Sequence, residues 1–289
     1  MKLPSFDYAS PRTLAEAAAL LAASDGGGKL IAGGQSLMPL LALRLASPSV
    51  LVDLRHVRDM NRIEATADGL RIGAKTRWRD IEGDPALPAA HPLLAAAIPH
   101  VAHYQIRNRG TVGGSLAHAD PAAELPGLAV ACDGELEVFS ARGTRRIAAA
   151  DFFLGPLTTA LEPDEIIVAL RLPPWQSTRR WGFDEVARRR GDFAVSGIAM
   201  FHDLDGVGRA TNVHIGVFGA SSQPCRLRTA EAALDGQVVD AAVIDRVVGA
   251  ARAELDPPED IHASAGYRRA LTGALIERTL KRMAGQPEH

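Results

Sequence analysis

Two diglycine turns constrain this 289-residue chain more than any other feature. The first is Ile31-Ala32-Gly33-Gly34-Gln35-Ser36-Leu37-Met38-Pro39, and the second is Thr111-Val112-Gly113-Gly114-Ser115-Leu116-Ala117-His118-Ala119-Asp120. Paired glycines can take positive φ and bring backbone close to a ligand where a Cβ would clash. Successive N–H groups in such a turn form an anion-binding concavity. Either turn alone is ordinary punctuation between elements. Two of like design suggest a clamp on a diphosphate from two sides. Neither is spelled G-x-x-x-x-G-K-S/T or G-x-G-x-x-G. Gly26-Gly27-Gly28-Lys29 is followed by Leu30, so no hydroxyl stands ready for magnesium. A nucleotide here is expected to be held by backbone donors without magnesium.

The chain is long enough for two or three domains with buried cores. Hydrophobic residues are 47% and mean hydropathy is near zero, as for an ordinary globular protein. A net charge of −2 supplies no global field for nucleic acid or an anionic membrane. Arginines cluster at Arg179-Arg180 and Arg188-Arg189-Arg190 and read as a solvated face, with a docking patch for an acidic partner as the alternative. Cys132 and Cys225 are the only cysteines, so the chain has no disulfide framework and too few thiolates for an iron–sulfur cluster of its own. His100 and His103 share a helical spacing without a third ligand at zinc-type spacing, and read as structural or exposed. Met1-Lys2-Leu3-Pro4 has no signal-peptide apolar core, and no apolar run is long enough to span a bilayer. A cytoplasmic protein is expected.

Thr13-Leu14-Ala15-Glu16 is a capping box that opens a helix with Leu14, Ala18 and Leu21 on one stripe. Lys29 to Ala32 reads as a strand entering the first diglycine turn, Ser36 as the cap of a following helix, and Val50 to Leu54 as a buried strand. This β-α-β unit puts its glycine turn at the carboxyl end of a strand, where α/β sheets bind ligands. Leu70 to Ala74 begins a second region, with further strands expected at Glu135 to Phe139 and Ile166 to Leu172 and helices at Pro92 to Val101, disturbed at Pro99, and at Leu125 to Cys132. Pro173-Pro174 and Gln176-Ser177-Thr178 form the best linker. Beyond it come strand-like Ile198 to Leu204, a turn at Asp205-Gly206, alternating Val213, Ile215 and Val217, and helices near Thr229 to Leu234, Ala241 to Leu255 and Ser264 to Met283. Strands followed by helices indicate an α+β domain.

At the glycine motifs a family resemblance becomes specific. The first resembles the A-G-G-H/Q-S-L-x-P signature of the FAD-binding medium subunits of molybdenum hydroxylases, the carbon monoxide dehydrogenase and xanthine dehydrogenase family. The second resembles that family's T-I/V-G-G-N/S-L, followed by H-A-D-P-A-A-D/E-L-P, here His118-Ala119-Asp120-Pro121-Ala122-Ala123-Glu124-Leu125-Pro126. Phe6-Asp7-Tyr8-Ala9-Ser10-Pro11, Arg189-Arg190-Gly191-Asp192-Phe193-Ala194 and Ser264-Ala265-Gly266-Tyr267-Arg268-Arg269 are similar too, so the resemblance runs from about residue 3 to about residue 283.

The resemblance implies an α+β architecture: a two-subdomain FAD-binding α/β domain of PCMH type at 1–175 (subdomains about 1–57 and 58–175), then a small C-terminal α+β domain at 178–289 with antiparallel strands and a helical bundle. It implies FAD, one per chain, with Ala32, Gly33, Gly34, Gln35, Ser36 and Leu37 on one side of the pyrophosphate and Thr111, Val112, Gly113, Gly114 and Ser115 on the other. Asp120 belongs to the same site, or is a general acid or a loop carboxylate. Glu124 matches the carboxylate that binds the ribose or adenosine side; without the resemblance it reads equally as a general acid or as a capping or loop carboxylate. Leu161 matches a main-chain contact to the flavin ring, or is core packing. Asp192 and Phe193 correspond to a segment beside the isoalloxazine, where Phe193 covers a flavin face or is a core aromatic. Gln35 stands where covalent relatives of the wider fold often place histidine, so the FAD is expected to be noncovalent. Ser115 replaces a frequent asparagine with another polar side chain. No catalytic residue and no metal site is expected in this chain.

The implied function is electron transfer, from a small iron–sulfur subunit through FAD to an external electron acceptor. A large molybdopterin-binding subunit would complete a heterotrimer that is often doubled into a dimer of heterotrimers. No nucleic acid and no membrane span enters this reading. Two alternatives differ in class. A stand-alone FAD-dependent oxidoreductase would carry a placed acid or base over the flavin, and a non-catalytic nucleotide-binding assembly module would purify colourless.

Overall fold

The computed structural model describes residues 3–285, so Met1 and Lys2 of the N-terminal stretch read above lie outside it. Three strands open the chain: β1 (Asp7–Ala9), β2 (Gly28–Ile31) and β3 (Val50–Asp53), all parallel in the order β1-β3-β2. The helix Leu14–Ala23 joins the first two. Thr13 Oγ1 accepts the Glu16 amide at 3.1 Å, and Glu16 reaches back to the Arg12 amide at 2.7 Å, one residue earlier than the reciprocal bond of a capping box. Ala17, Ala18 and Leu21 are its buried face.

A second sheet is antiparallel throughout. It holds β4 (Ile63–Thr66), β5 (Gly69–Gly73), β6 (Glu135–Ser140), β7 (Gly143–Ala148) and, after the small hairpin β8 (Phe153–Gly155) and β9 (Thr158–Thr159), β10 (Ile166–Leu172). The order is β4-β5-β10-β6-β7. Strand β10 is central and apolar along most of its length, as a strand covered on both faces must be. The helix Val112–His118 packs on β5 and β10, while Glu124–Ala131 packs chiefly on the antiparallel sheet that follows later in the chain. The expected helix at Pro92 ends at Ala97 and tightens into a 3₁₀ turn, Ile98–His100, where Pro99 removes an amide donor.

The last sheet is also antiparallel, in the order β11 (Arg180–Ala187), β12 (Ala194–Leu204), β13 (Ala210–Phe218) and β14 (Cys225–Arg226). The helices Arg228–Leu234, Ala241–Glu254 and Ala265–Met283 pack with it around a separate apolar cluster that includes Ile198, Ile215, Val247 and Ile276. Strand β11 went unread in the sequence because its arginine-rich flanks dominate the pattern.

Those flanks are only partly a solvated face. Arg179 makes a bidentate ion pair with Asp203, at 2.9 and 3.1 Å, and its guanidinium lies over both Trp175 and Phe201. Trp175 in turn touches His91, and Phe201 stacks on His214. The linker thus ends in a cation–aromatic stack that ties the last sheet to the rest. His214 Nδ1 lies 2.7 Å from the carbonyl oxygen of Ala131, the last residue of the helix Glu124–Ala131.

Candidate functional site

Strand β2 delivers Ala32 to Leu37 at the carboxyl end of the parallel sheet, the end where such sheets receive ligands. Gly34 has φ +72°, the left-handed conformation that favours glycine. Gln35 folds back, its Nε2 donating to the Gly33 carbonyl at 3.0 Å. Among the described residues, none accepts a hydrogen bond from the amides of Gly34, Gln35 or Ser36. Three neighbouring donors without protein acceptors are what phosphate oxygens require. Ser36 departs from expectation. It stands at the N-cap of the helix Leu37–Ala42, but its backbone is already helical (φ −101°, ψ −46°) and its side chain makes no capping bond. A cap acts from extended backbone.

The second diglycine is not a turn. Gly113 and Gly114 lie in the first turn of the helix Val112–His118, and neither has positive φ. Their amides are committed to the protein. Val112 N–H donates to Thr76 at 3.0 Å, Gly113 to Ala74 at 2.8 Å, Gly114 to Thr111 Oγ1 at 3.2 Å and Ser115 to the Thr111 carbonyl at 3.0 Å. The amide half of the expected clamp is therefore one-sided. Glycine is required at 113 for packing, since an added Cβ would sit 2.6 Å from the Ala74 Cβ. Gly33 has a similar role, because a Cβ there would overlap the Arg109 carbonyl. The structure thus lays the first motif against the residues just before the second, Arg109 and Gly110. Gly114 is exposed and Ser115 half-buried, so both keep open surface beside the first loop.

The next stretch turns sharply. Ala119 is left-handed (φ +51°) and its carbonyl accepts the Leu157 amide, which draws the tip of the β8–β9 hairpin onto the motif. Asp120 closes an Asx turn, with Oδ1 accepting the Ala122 amide at 2.9 Å. Leu161 follows the hairpin and is half-buried against the core, with its amide 3.4 Å from Thr159 Oγ1. The Pro121 carbonyl accepts the Gly219 amide, tying this stretch to β13.

Glu124 begins the helix Glu124–Ala131 and is only 5% exposed, so it is not a loop carboxylate. Burial and then the nearby Glu185 push its carboxyl up to about 8. His100 Nδ1 lies 3.1 Å from Glu185 Oε1, and this hydrogen bond raises the imidazole above its ordinary value. Neither Glu185 nor His100 was legible as a partner of Glu124. One lies on the strand that went unread, and Glu185 and His100 come together only through the packing of β11 against the helix Pro92–Ala97 and the turn after it.

Asp192 and Phe193 follow a left-handed glycine, Gly191 (φ +78°), where a Cβ would sit 2.7 Å from the Ala102 carbonyl oxygen. Asp192 receives Arg188 at 3.1 Å and the Phe193 amide at 3.1 Å. Phe193 is 56% exposed, which rules out the core-aromatic reading and leaves its ring free to cover a planar ligand. Among the described residues no three histidine, cysteine or carboxylate side chains group as metal ligands, and no helix is long and apolar enough to cross a membrane.

The acceptor-free amides at Gly34–Ser36, the neighbouring exposed glycine, the buried acid and the exposed aromatic fit a dinucleotide with a diphosphate, a sugar and a planar ring. Comparison with known proteins agrees. Residues 4–175 match the FAD binding domain in molybdopterin dehydrogenase, and residues 181–283 match the CO dehydrogenase flavoprotein C-terminal domain. The chain is 42% identical to the nicotine 6-hydroxylase medium subunit of Paenarthrobacter nicotinovorans, over 97% of this chain and 98% of that one. It is 32% identical to the carbon monoxide dehydrogenase medium chain of Hydrogenophaga pseudoflava, over 96% of each. Among solved structures, carbon monoxide dehydrogenase from Hydrogenophaga pseudoflava superposes with a TM-score of 0.94 at 34% identity, covering 97% of this chain and 98% of that one. Quinoline 2-oxidoreductase from Pseudomonas putida 86 superposes with a TM-score of 0.92 at 38% identity, over 99% of each chain. The chain belongs to the family of FAD-binding medium subunits of molybdenum hydroxylases, and is the flavoprotein component of an oxidoreductase.

Proposed function

We propose that this chain relays electrons within a molybdenum hydroxylase complex, from a small iron–sulfur subunit through its FAD to an external acceptor. A large molybdopterin subunit would carry the substrate chemistry, and the assembly would be a dimer of heterotrimers. The observation that carries the reading is the run of acceptor-free amides at Gly34–Ser36, beside an exposed aromatic at Phe193, in a chain with only two cysteines, both free, and no metal-ligand group among the described residues. Flavin, when bound, supplies the ability to take electrons singly or in pairs. The chain's own residues bind and orient it.

In this reading the amides of Gly34, Gln35 and Ser36 meet the diphosphate, with Ala32 and Leu37 shaping the loop. Gly114 and Ser115 close the other side from the open surface of their helix. Thr111, Val112 and Gly113 act behind them by fixing that helix in place. Asp120 and Glu124 hold the sugar side, the Leu161 main chain meets the ring edge, and Phe193, oriented by Asp192, covers one ring face. Gln35 offers no imidazole for a covalent bond, so the cofactor is noncovalent. Two free thiols suit a reducing cytoplasm.

Rapid-mixing spectroscopy tests the division of labour. Organic substrate is expected to bleach the flavin only in the assembled complex. Fast bleaching in the isolated chain would overturn the relay and favour a stand-alone flavoenzyme.

A further inference from the structure

The turn at 188–193 joins β11 to β12 and carries three consecutive arginines next to the exposed ring of Phe193. Its charge is unbalanced. Arg188 and Arg189 share one carboxylate, Asp192, at 3.1 and 4.0 Å, and among the described residues Arg190 pairs with none. The Arg189 side chain is 81% exposed, and Arg190 is exposed as well. The turn is nevertheless fixed in place. The Asp192 amide donates to the Arg189 carbonyl at 3.0 Å, and left-handed Gly191 presses on the Ala102 carbonyl. Ala102 is itself left-handed (φ +48°), and Arg107 Nη1 holds the carbonyls of Val101 and Ala102 at 3.2 and 3.0 Å. Tyr104, 65% exposed, begins the helix that follows this support. A face that only meets water needs no such scaffold.

We propose that the β11–β12 turn is the docking site of the external electron acceptor, and that this acceptor is an acidic one-electron carrier protein. Charge complementarity names the partner: a cationic surface gathers an anionic one and speeds its encounter. Its shape and composition favour a protein over a small anion. A hairpin tip is convex, whereas small-molecule sites are concave. Arginine beside exposed aromatic rings is also the composition enriched where proteins meet. The proposal rests on the reading that Phe193 covers a face of the bound FAD, because a carrier seated on this turn then stands beside the flavin. Two oxidised carriers would each gain one electron from the reduced flavin, whose protons pass to water.

The assembled complex tests this, with its flavin reduced by stoichiometric dithionite and then mixed rapidly with an oxidised acidic blue-copper protein. Flavin reoxidation is expected to slow about tenfold as salt rises from about 20 to about 200 mM. The double variant Arg189→Gln/Arg190→Gln is expected to lower the second-order rate about tenfold at low salt. Its limiting rate at saturating carrier, its FAD content and its reoxidation by uncharged benzoquinone should stay within about twofold of wild type. A basic cytochrome c should react faster with the variant than with wild type. Carrier rates that ignore both salt and substitution overturn the proposal. So does an equal loss with benzoquinone, which would make the turn a mere support for the flavin. A double variant that fails to assemble places the turn inside the complex and overturns it too. Reoxidation by NAD that the substitutions abolish would assign the arginines to a nucleotide instead. A complex without FAD overturns the flavin reading itself.

Discussion

At the residue scale, three glycines of the two motifs do different physical work. Gly34 supplies a left-handed backbone conformation (φ +72°), Gly33 permits a backbone of another segment to touch it, and Gly113 permits a helix to lie on Ala74. Gly33→Val and Gly113→Val are each expected to abolish FAD content while most far-UV circular dichroism remains. For Gly33 the branched side chain would push against Arg109, and for Gly113 against Ala74. Overpacking of that kind costs about 1–3 kcal/mol, so both variants should also melt earlier. Undiminished flavin in both would return the glycines to mere punctuation.

At the element scale, the helix Val112–His118 is built from weak material. Its seven residues include two glycines, each costing about 1 kcal/mol relative to alanine in a helix interior. Thr111 offsets part of this by capping the Gly114 amide, and the Thr76 and Ala74 carbonyls take the two amides before it. Thr111→Ala is expected to cost about 1 kcal/mol of stability and to lower flavin content, because the helix presents Gly114 and Ser115. Asp240 caps the helix Ala241–Glu254 in the same way, accepting the Val243 amide at 2.8 Å. Asp240→Ala should lose a similar stability in urea titration with flavin content unchanged, since that helix packs chiefly on the helices Arg228–Leu234 and Ala265–Met283. Equal flavin loss in the two variants would separate the cap from the site.

At the scale of the whole molecule, the last sheet is bound to the rest by buried polar groups that respond to pH. The Glu124 carboxyl is raised to about 8, mainly by burial, so the native state holds a proton there that the unfolded chain has released. Its contribution to stability is complete at low pH and is lost as pH rises toward 8. His91, beneath Trp175, is lowered to about 4 by burial, so its contribution is present above its ordinary value and is lost as pH falls toward 4. The thermal midpoint of the cofactor-free chain is expected to peak between these limits and decline on both sides. Glu124→Gln should flatten the alkaline decline and leave the acid one. A midpoint that stays constant from pH 6 to 9 in wild type would contradict the burial of an ionisable Glu124.

The sequence by itself determined the periodic elements and the location of the first loop. Thr13 and Glu16 mark a helix start, Ile166 to Leu172 reads as a strand, and an apolar strand running into Gly33-Gly34 marks a glycine turn with positive φ, because each signal is local in chain and in space. Only the tertiary structure decided what the second diglycine does, since its conformation follows from Ala74 and Thr76, residues some forty positions away whose carbonyls capture its amides. Strand β11 was hidden for the same reason: its pattern is broken by Arg179 and Arg180, and Arg179 is satisfied by Asp203, Trp175 and Phe201 rather than by water. The partners of Glu124 were hidden too. A carboxyl group's proton affinity depends on burial and on the charges around it, and folding alone brings Glu185 and His100 to that helix.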